Sequence, residues 1–308
     1  MLSIVQTALE LGLMGSLTVL ALFLSYSMLG VCDLSTDGCF TLGAVVGAVV
    51  ALAGHPWLSI PAAMAAGMLS GFVTALLQTR MGVDSLLAGI VVNTGLYSIN
   101  IAIMGGASLL NMNKTETVFT AVKALLAATP LAPYYKTAVA LLAVVLALVF
   151  LTLFLRTRLG LAIRATGDNI DMLRASSVNP AFTTLVGLCA SNALTGLSGC
   201  LLAQAQKSVN IDIGSGMVTI ALASLLMGRA FAPNGGIPRR ALGAVLGAVV
   251  FRLVYALALR LNMPAFMLKL VSSVIVIFAI AGPYLKARYP ELHRRLSHKY
   301  GKGGGARA

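Results

Sequence analysis

The chain has 308 residues, of which 58% are hydrophobic and 10% charged, with a mean hydropathy of +0.93 and a formal charge of +13. A soluble domain carries about 25% charged residues, so this composition excludes one and describes an all-α, polytopic membrane protein. The basic residues are spread over loops flanking apolar runs, with no aromatic interleaving, which excludes nucleic acid as a partner and makes lipid the first one.

Taken in chain order, apolar runs at 8–30, 38–54, 58–78, 84–104, 136–155, 180–203, 213–231, 239–260 and 264–284 predict about nine membrane helices. The polar turn after the first run holds Asp33 and Ser35. Small residues recur at four-residue spacing (Gly43 and Gly47, Gly67 and Gly71, Gly243 and Gly247), a spacing that lets helix backbones approach closely. Residues 41–50 (TLGAVVGAVV) and 241–250 (ALGAVLGAVV) agree at all but two positions, and each follows a polar turn. Together these predict two parallel structural repeats around a midplane path.

In the fourth run Asn93, Tyr97 and Asn100 share one helical face, and in the sixth Ser191, Thr195 and Ser198 do so, with Asn192 beside them. Such groups either hydrogen-bond between helices or line a polar solute path. Arg252 lies deep in the eighth run and needs a partner, for which Glu10 and Asp212 are the candidates. The segment 105–133 carries a short surface helix over 117–127.

Residues 156–180 (RTRLGLAIRATGDNIDMLRASSVNP) form a long polar segment between two apolar runs. Its pattern reads as a loop, a short amphipathic helix capped by Asp168 with Ile170 and Leu173 on one face, then a corner where Asn179 and Pro180 open the next helix. Either a helix lying at the headgroups or a docking knob for a soluble partner fits that pattern. Loop charge decides the side: one alternate set of connections holds 15 Lys and Arg and the other five. The basic set faces the cytoplasm by the positive-inside rule, which puts the N-terminus outside, the C-terminus inside and this segment within reach of a soluble partner.

Four cysteines without a paired motif and three scattered histidines give no metal site. No P-loop, HExxH or nucleophile elbow occurs, so the chain is not read as an enzyme, and any energy source lies in another chain. Residues 1–285 are read as one transmembrane domain and 286–308 as a basic tail on the cytoplasmic side.

Three blocks carry a family likeness. Arg158 and Gly160, then Ala165, Gly167 and Asn169, then Val178 and Asn179 resemble the cytoplasmic loop of permease subunits of bacterial ABC importers, in the branch that includes ribose and branched-chain amino acid permeases. Ser177 replaces the usual glycine of that loop. Asp33-Leu34-Ser35 resembles a second family turn, and Pro233-Asn234-Gly235-Gly236 a third. Residues 86–90, 96–100 and 103–105 resemble a subgroup linked to tryptophan and tyrosine uptake.

The resemblance implies a type II-like permease in the bacterial inner membrane. Its partners would be a second permease subunit, most simply as a homodimer, two ATPase subunits that bind ATP and Mg, and an extracytoplasmic solute-binding protein. No cofactor is implied in this chain. The ATPase would dock on Arg164, Gly167, Asp168, Asn169, Asp171, Leu173 and Arg174. The solute path or gate would involve Asp33, Ser35, Asn93, Tyr97, Asn100 and Asn192, with Asp33 at the cytoplasmic end. The solute expected is a small molecule, an amino acid, with the subgroup likeness pointing to an aromatic one; a sugar or nucleoside permease and an ion-coupled carrier are the alternatives.

Overall fold

The structure is a computed structural model that describes residues 2–126, 132–232 and 235–260, together with 270, 273, 274, 277 and 281. The described residues are helical apart from short connections and a two-stranded ribbon. α1 (Leu2–Leu22) continues as a π-helical turn over Phe23–Met28. α2 (Thr36–Leu52), α3 (Ser59–Arg80) and α4 (Ser85–Ile103) follow. Then come β1 (Leu109–Asn111), α5 (Val118–Leu125) and α6 (Tyr135–Arg156). The chain continues through α7 (Arg158–Asp168), α8 (Ile170–Ala175), α9 (Pro180–Gln206), β2 (Ser208–Asn210), α10 (Met217–Phe231) and α11 (Ile237–Arg260).

Six spans among the described residues are long and apolar enough to cross a bilayer, those built on α1, α3, α4, α6, α9 and α11. The other two expected spans are shorter. α2 has 17 residues and α10 has 15, so at 1.5 Å per residue they reach about 25 and 23 Å, less than the roughly 30 Å hydrocarbon core. Their N-termini meet inside the bundle, where the Asp37 carboxylate accepts from the amides of Gly216 at 2.9 Å and Val218 at 2.7 Å. The expected ninth helix, apart from a few positions, and the tail from 286 lie outside the described residues, as do Pro233 and Asn234.

α9 is the central helix, and small residues put it there. Side chains added at Gly67 and Gly71 of α3 would run into the α9 carbonyls of Asn192 and Leu188, and one at Gly43 of α2 into the backbone of Gly196. The hydroxyls of Ser191 and Ser198 donate across to the α1 carbonyls of Ala21 and Met14, at 2.8 and 2.7 Å. These two serines therefore hold the bundle together by interhelical bonds, while Thr195 bonds back to Ser191 of its own helix. α6 differs: its exposed face, with Leu142, Leu146, Phe150 and Leu153, is apolar up to Arg156 at its end and suits lipid.

The two copies of the ten-residue motif meet different surroundings. The copy in α2 packs parallel against α9, with Gly43 at Gly196 and Gly47 at Cys200. The copy in α11 packs antiparallel against α10, with Gly243 at Gly228 and Gly247 at Ser224.

The segment 156–180 is more ordered than its polarity predicts. α7 occupies what reads as loop, because Thr157 caps it by accepting from the Gly160 amide at 3.2 Å. The cap of α8 is Asn169, which accepts from Asp171 and Met172; Asp168 ends α7 instead. Leu173 is buried but Ile170 is 46% exposed, so the two do not share a buried face. Asn179 caps α9 with Pro180 at its first turn, as the sequence predicts. Ser177, where the family carries glycine, sits at φ +58°, a left-handed conformation that costs a non-glycine residue roughly 1–2 kcal/mol.

The ribbon pairs Leu109 with Asn210, Leu110 with Val209 and Asn111 with Ser208, antiparallel. It ties the connection after α4 to the one after α9. α5 begins with a capping box between Thr117 and Thr120.

Candidate functional site

Two polar centres lie at the start of α2, on opposite sides of it. The first is closed. Asp33, fully buried, accepts from the Ser35 amide at 2.8 Å and its hydroxyl at 2.6 Å through one oxygen, and from Asn192 Nδ2 at 2.7 Å through the other. Thr74 of α3 adds a bond to Ser35 at 3.2 Å. Asn192 is about 18 Å along α9, so Asp33 lies deep in the bundle and not at the end of a helix, as its place in the sequence predicts. The chain reaches that depth because it turns inward after Met28 and starts α2 only at Thr36.

The second centre is a cavity of ≈ 330 Å³, within the size range of small-molecule sites. α2 supplies Asp37, Gly38 and Thr41; α4 supplies Asn93, Thr94, Tyr97 and Asn100. The segment leading into α10 closes it with Ile211, Asp212 and Ser215. A side chain at Gly38 would meet Asn93 Oδ1 at 2.7 Å, so glycine lets that amide approach α2. Asn100 donates to the Gly38 carbonyl at 3.2 Å, while its Oδ1 is buried without a partner.

The structure thus divides the six residues expected on a solute path. Asn93, Tyr97 and Asn100 line the cavity together; Asp33, Ser35 and Asn192 form the closed cluster. Asp37, Thr41, Asp212 and Ser215 are absent from that expectation. The signal for Asp37 was there, a carboxylate opening a run too short to span; Asp212 stands in a Gly-rich turn before another short run.

Arg252 pairs with neither expected carboxylate. Its guanidinium lies over the Tyr255 ring, 6.0 Å from the centroid, while Glu10 accepts from Gln6 at 3.1 Å and Thr137 at 3.2 Å. Asp212 lies on the cavity wall. Helix α1 presents Gly12 and Gly15 to α11 at the level of Arg252, leaving no carboxylate there to meet it.

The expected coupling residues gather on α7 and α8. Asp168, Asn169, Asp171 and Arg174 are exposed, the last two paired at 3.5 Å, and Arg164 is half-buried. Gly167 packs against the end of the π-helical turn, where a side chain would strike the Met28 carbonyl. Gly30, at φ +74°, belongs to the same segment and also lies against Gly167. Thr166 and Thr183 share a hydrogen bond at 2.7 Å, fixing α7 to α9. α7 is therefore bound to the strand of chain that leads into Asp33.

Long apolar helices packed through small residues, with polar groups turned inward, define an integral membrane protein. Residues 4–280 match the family described as the permease component of the branched-chain amino acid transport system, and the chain belongs to that family. It is 27% identical over 285 residues to a tyrosine transport system permease protein of Clostridioides difficile, covering 92% of each chain. It is also 26% identical over 285 residues to an uncharacterised protein of Rickettsia prowazekii, covering 91% of this chain and 98% of the relative. No solved structure matches it. The chain is accordingly a permease component of a transport system and a multi-pass protein of the bacterial inner membrane.

Proposed function

We propose that this chain is the membrane-spanning subunit of an ATP-driven ABC importer that takes up an amino acid, in the first instance tyrosine. Two copies form the pore unit, two ATPase subunits dock on the cytoplasmic face, and an extracytoplasmic binding protein delivers the solute. The charge asymmetry of the loops supports an N-terminus outside and α7–α8 in the cytoplasm. The relative named for tyrosine transport supports the solute class.

The observation that carries this reading is the seating of α7. A solvent-facing helical pair, with Ile170 and Met172 exposed beside Asp171 and Arg174, offers an apolar patch rimmed by charge to a soluble partner. Its inner side is locked to residues 28–30 at Gly167 and to α9 at Thr166. Closure of the ATPase pair would move α7–α8 as a unit and pull on the turn carrying Asp33, and so on the N-terminus of α2. A side chain at Gly167 breaks that lock.

The test is co-purification and transport in the assembled complex. Met172→Asp is expected to cut ATPase retention at least about tenfold, as an interface anchor would. Gly167→Val is expected to keep the ATPase but uncouple hydrolysis from uptake. Full retention and full uptake in both variants would contradict the reading.

A further inference from the structure

The cavity between α2, α4 and the segment before α10 has a chemistry more specific than polarity. Among the described residues its charged lining groups are two carboxylates, Asp37 and Asp212, with no Lys, Arg or His beside them. Asp37 is engaged: both of its oxygens already accept backbone amides at the start of α10. Asp212 is not. It is exposed, and its carboxylate has no hydrogen-bond or ion-pair partner among the described residues.

An independent observation points to a missing donor. Asn100 is only 1% exposed, lines the same cavity, and holds its Oδ1 without a partner after its amide nitrogen has bonded to Gly38. A buried amide oxygen left unpaired is destabilising, and a donor N–H that reached it would remove that cost. The hydroxyls of Thr41 and Ser215 offer further acceptors, and the half-exposed ring of Tyr97 stands on the wall as a face for a cation or another ring.

We propose that this cavity is a subsite for the ammonium group of a primary-amine solute, with Asp212 as its counter-charge and Asn100 Oδ1 as a second acceptor. An ammonium carries three donors and no acceptor, which matches a site of unused acceptors and net negative charge. A neutral sugar leaves Asp212 uncompensated, and an anion is repelled. The proposal rests on the importer reading, because it gives the amino end of the transported solute a place to dwell inside the membrane.

The experiment uses the purified full-length chain in nanodiscs, titrated by saturation-transfer NMR. The probes are tyramine, which has the ammonium, and 3-(4-hydroxyphenyl)propionate, which has the ring without it. Tyramine is expected to bind at least about tenfold tighter, the size of one charge-assisted hydrogen bond. Asp212→Asn is expected to remove about that factor for tyramine and to bind the propionate no more weakly than the wild type does, since the repelling charge is gone. Thr94→Lys, which places an ammonium in the cavity from its exposed α4 wall, is expected to abolish tyramine binding. Glu116→Gln, an exposed carboxylate elsewhere, serves as the charge control and should bind as the wild type does.

Equal binding of the two probes, or tyramine binding that survives Thr94→Lys, overturns the subsite. The Thr94 variant decides the matter if Asp212→Asn fails to fold. Parallel uptake by the assembled complex separates the two claims. Binding without ATP-driven uptake contradicts the importer and leaves the subsite standing; uptake without selective tyramine binding does the reverse.

Discussion

Asp33 and Asp37 stand four residues apart at the start of one helix, and the protein uses them in opposite ways. Asp33 is fully buried and bonded on both oxygens to Ser35 and Asn192, with Thr74 backing the serine. Asp37 reaches across to hold the first amides of α10, and its other side faces a cavity with an unengaged Asp212. One carboxylate ties the α2 turn to the central helix; the other fixes the wall of an open site. The difference comes from where α9 runs, because the Asn192 side chain closes over Asp33, while among the described residues Asp37 meets backbone amides and no side-chain amide donor.

That contrast can be broken by substitution. Asp33→Ala strands buried donors on Ser35 and Asn192, and its expected cost is about 3 kcal/mol or more, read as a large drop in the melting temperature of the nanodisc-held protein. A wild-type melting curve would mean that the cluster is not structural. Asp37→Asn replaces one acceptor by an NH₂ group that faces a backbone donor, for an expected loss of about 1–2 kcal/mol. Hydrogen exchange should then quicken at the amides of Gly216 and Val218, which are its partners, before it quickens elsewhere. Asp212→Asn should change stability by less than about 0.5 kcal/mol, the ordinary range for an exposed position, so any effect on transport is not a folding effect.

The same contrast shows what a sequence carries and where it stops. Long apolar runs, glycines at four-residue spacing and the Asn179-Pro180 helix start are local signals; six of the nine runs appear as helices long enough to span, and the glycine seams and the helix start appear where their patterns put them. The face Asn93, Tyr97 and Asn100 was legible for the same reason, since helical spacing alone puts three side chains together. Asp33 misled because depth is not local: its position follows from an inward turn after Met28 and from the register of α9, 159 residues away in sequence at Asn192. The partners of Asp37 lie farther still, beyond position 210, in a segment that reads as a turn. α7 was hidden by the charges of Arg158, Arg164 and Asp168 inside a polar segment; a cap at Thr157 and close packing at Gly160 and Gly167 hold it as a helix.

Family membership makes the chain a permease, and ATP-driven import of an aromatic amino acid is the proposed activity. The most direct measurement is uptake of labelled L-tyrosine by proteoliposomes holding this chain with its ATPase and binding protein. The account predicts accumulation that needs ATP inside the ATPase compartment, needs the binding protein, survives the collapse of ion gradients and falls in Asp212→Asn. Accumulation by this chain alone, driven by an ion gradient and indifferent to ATP, would contradict it.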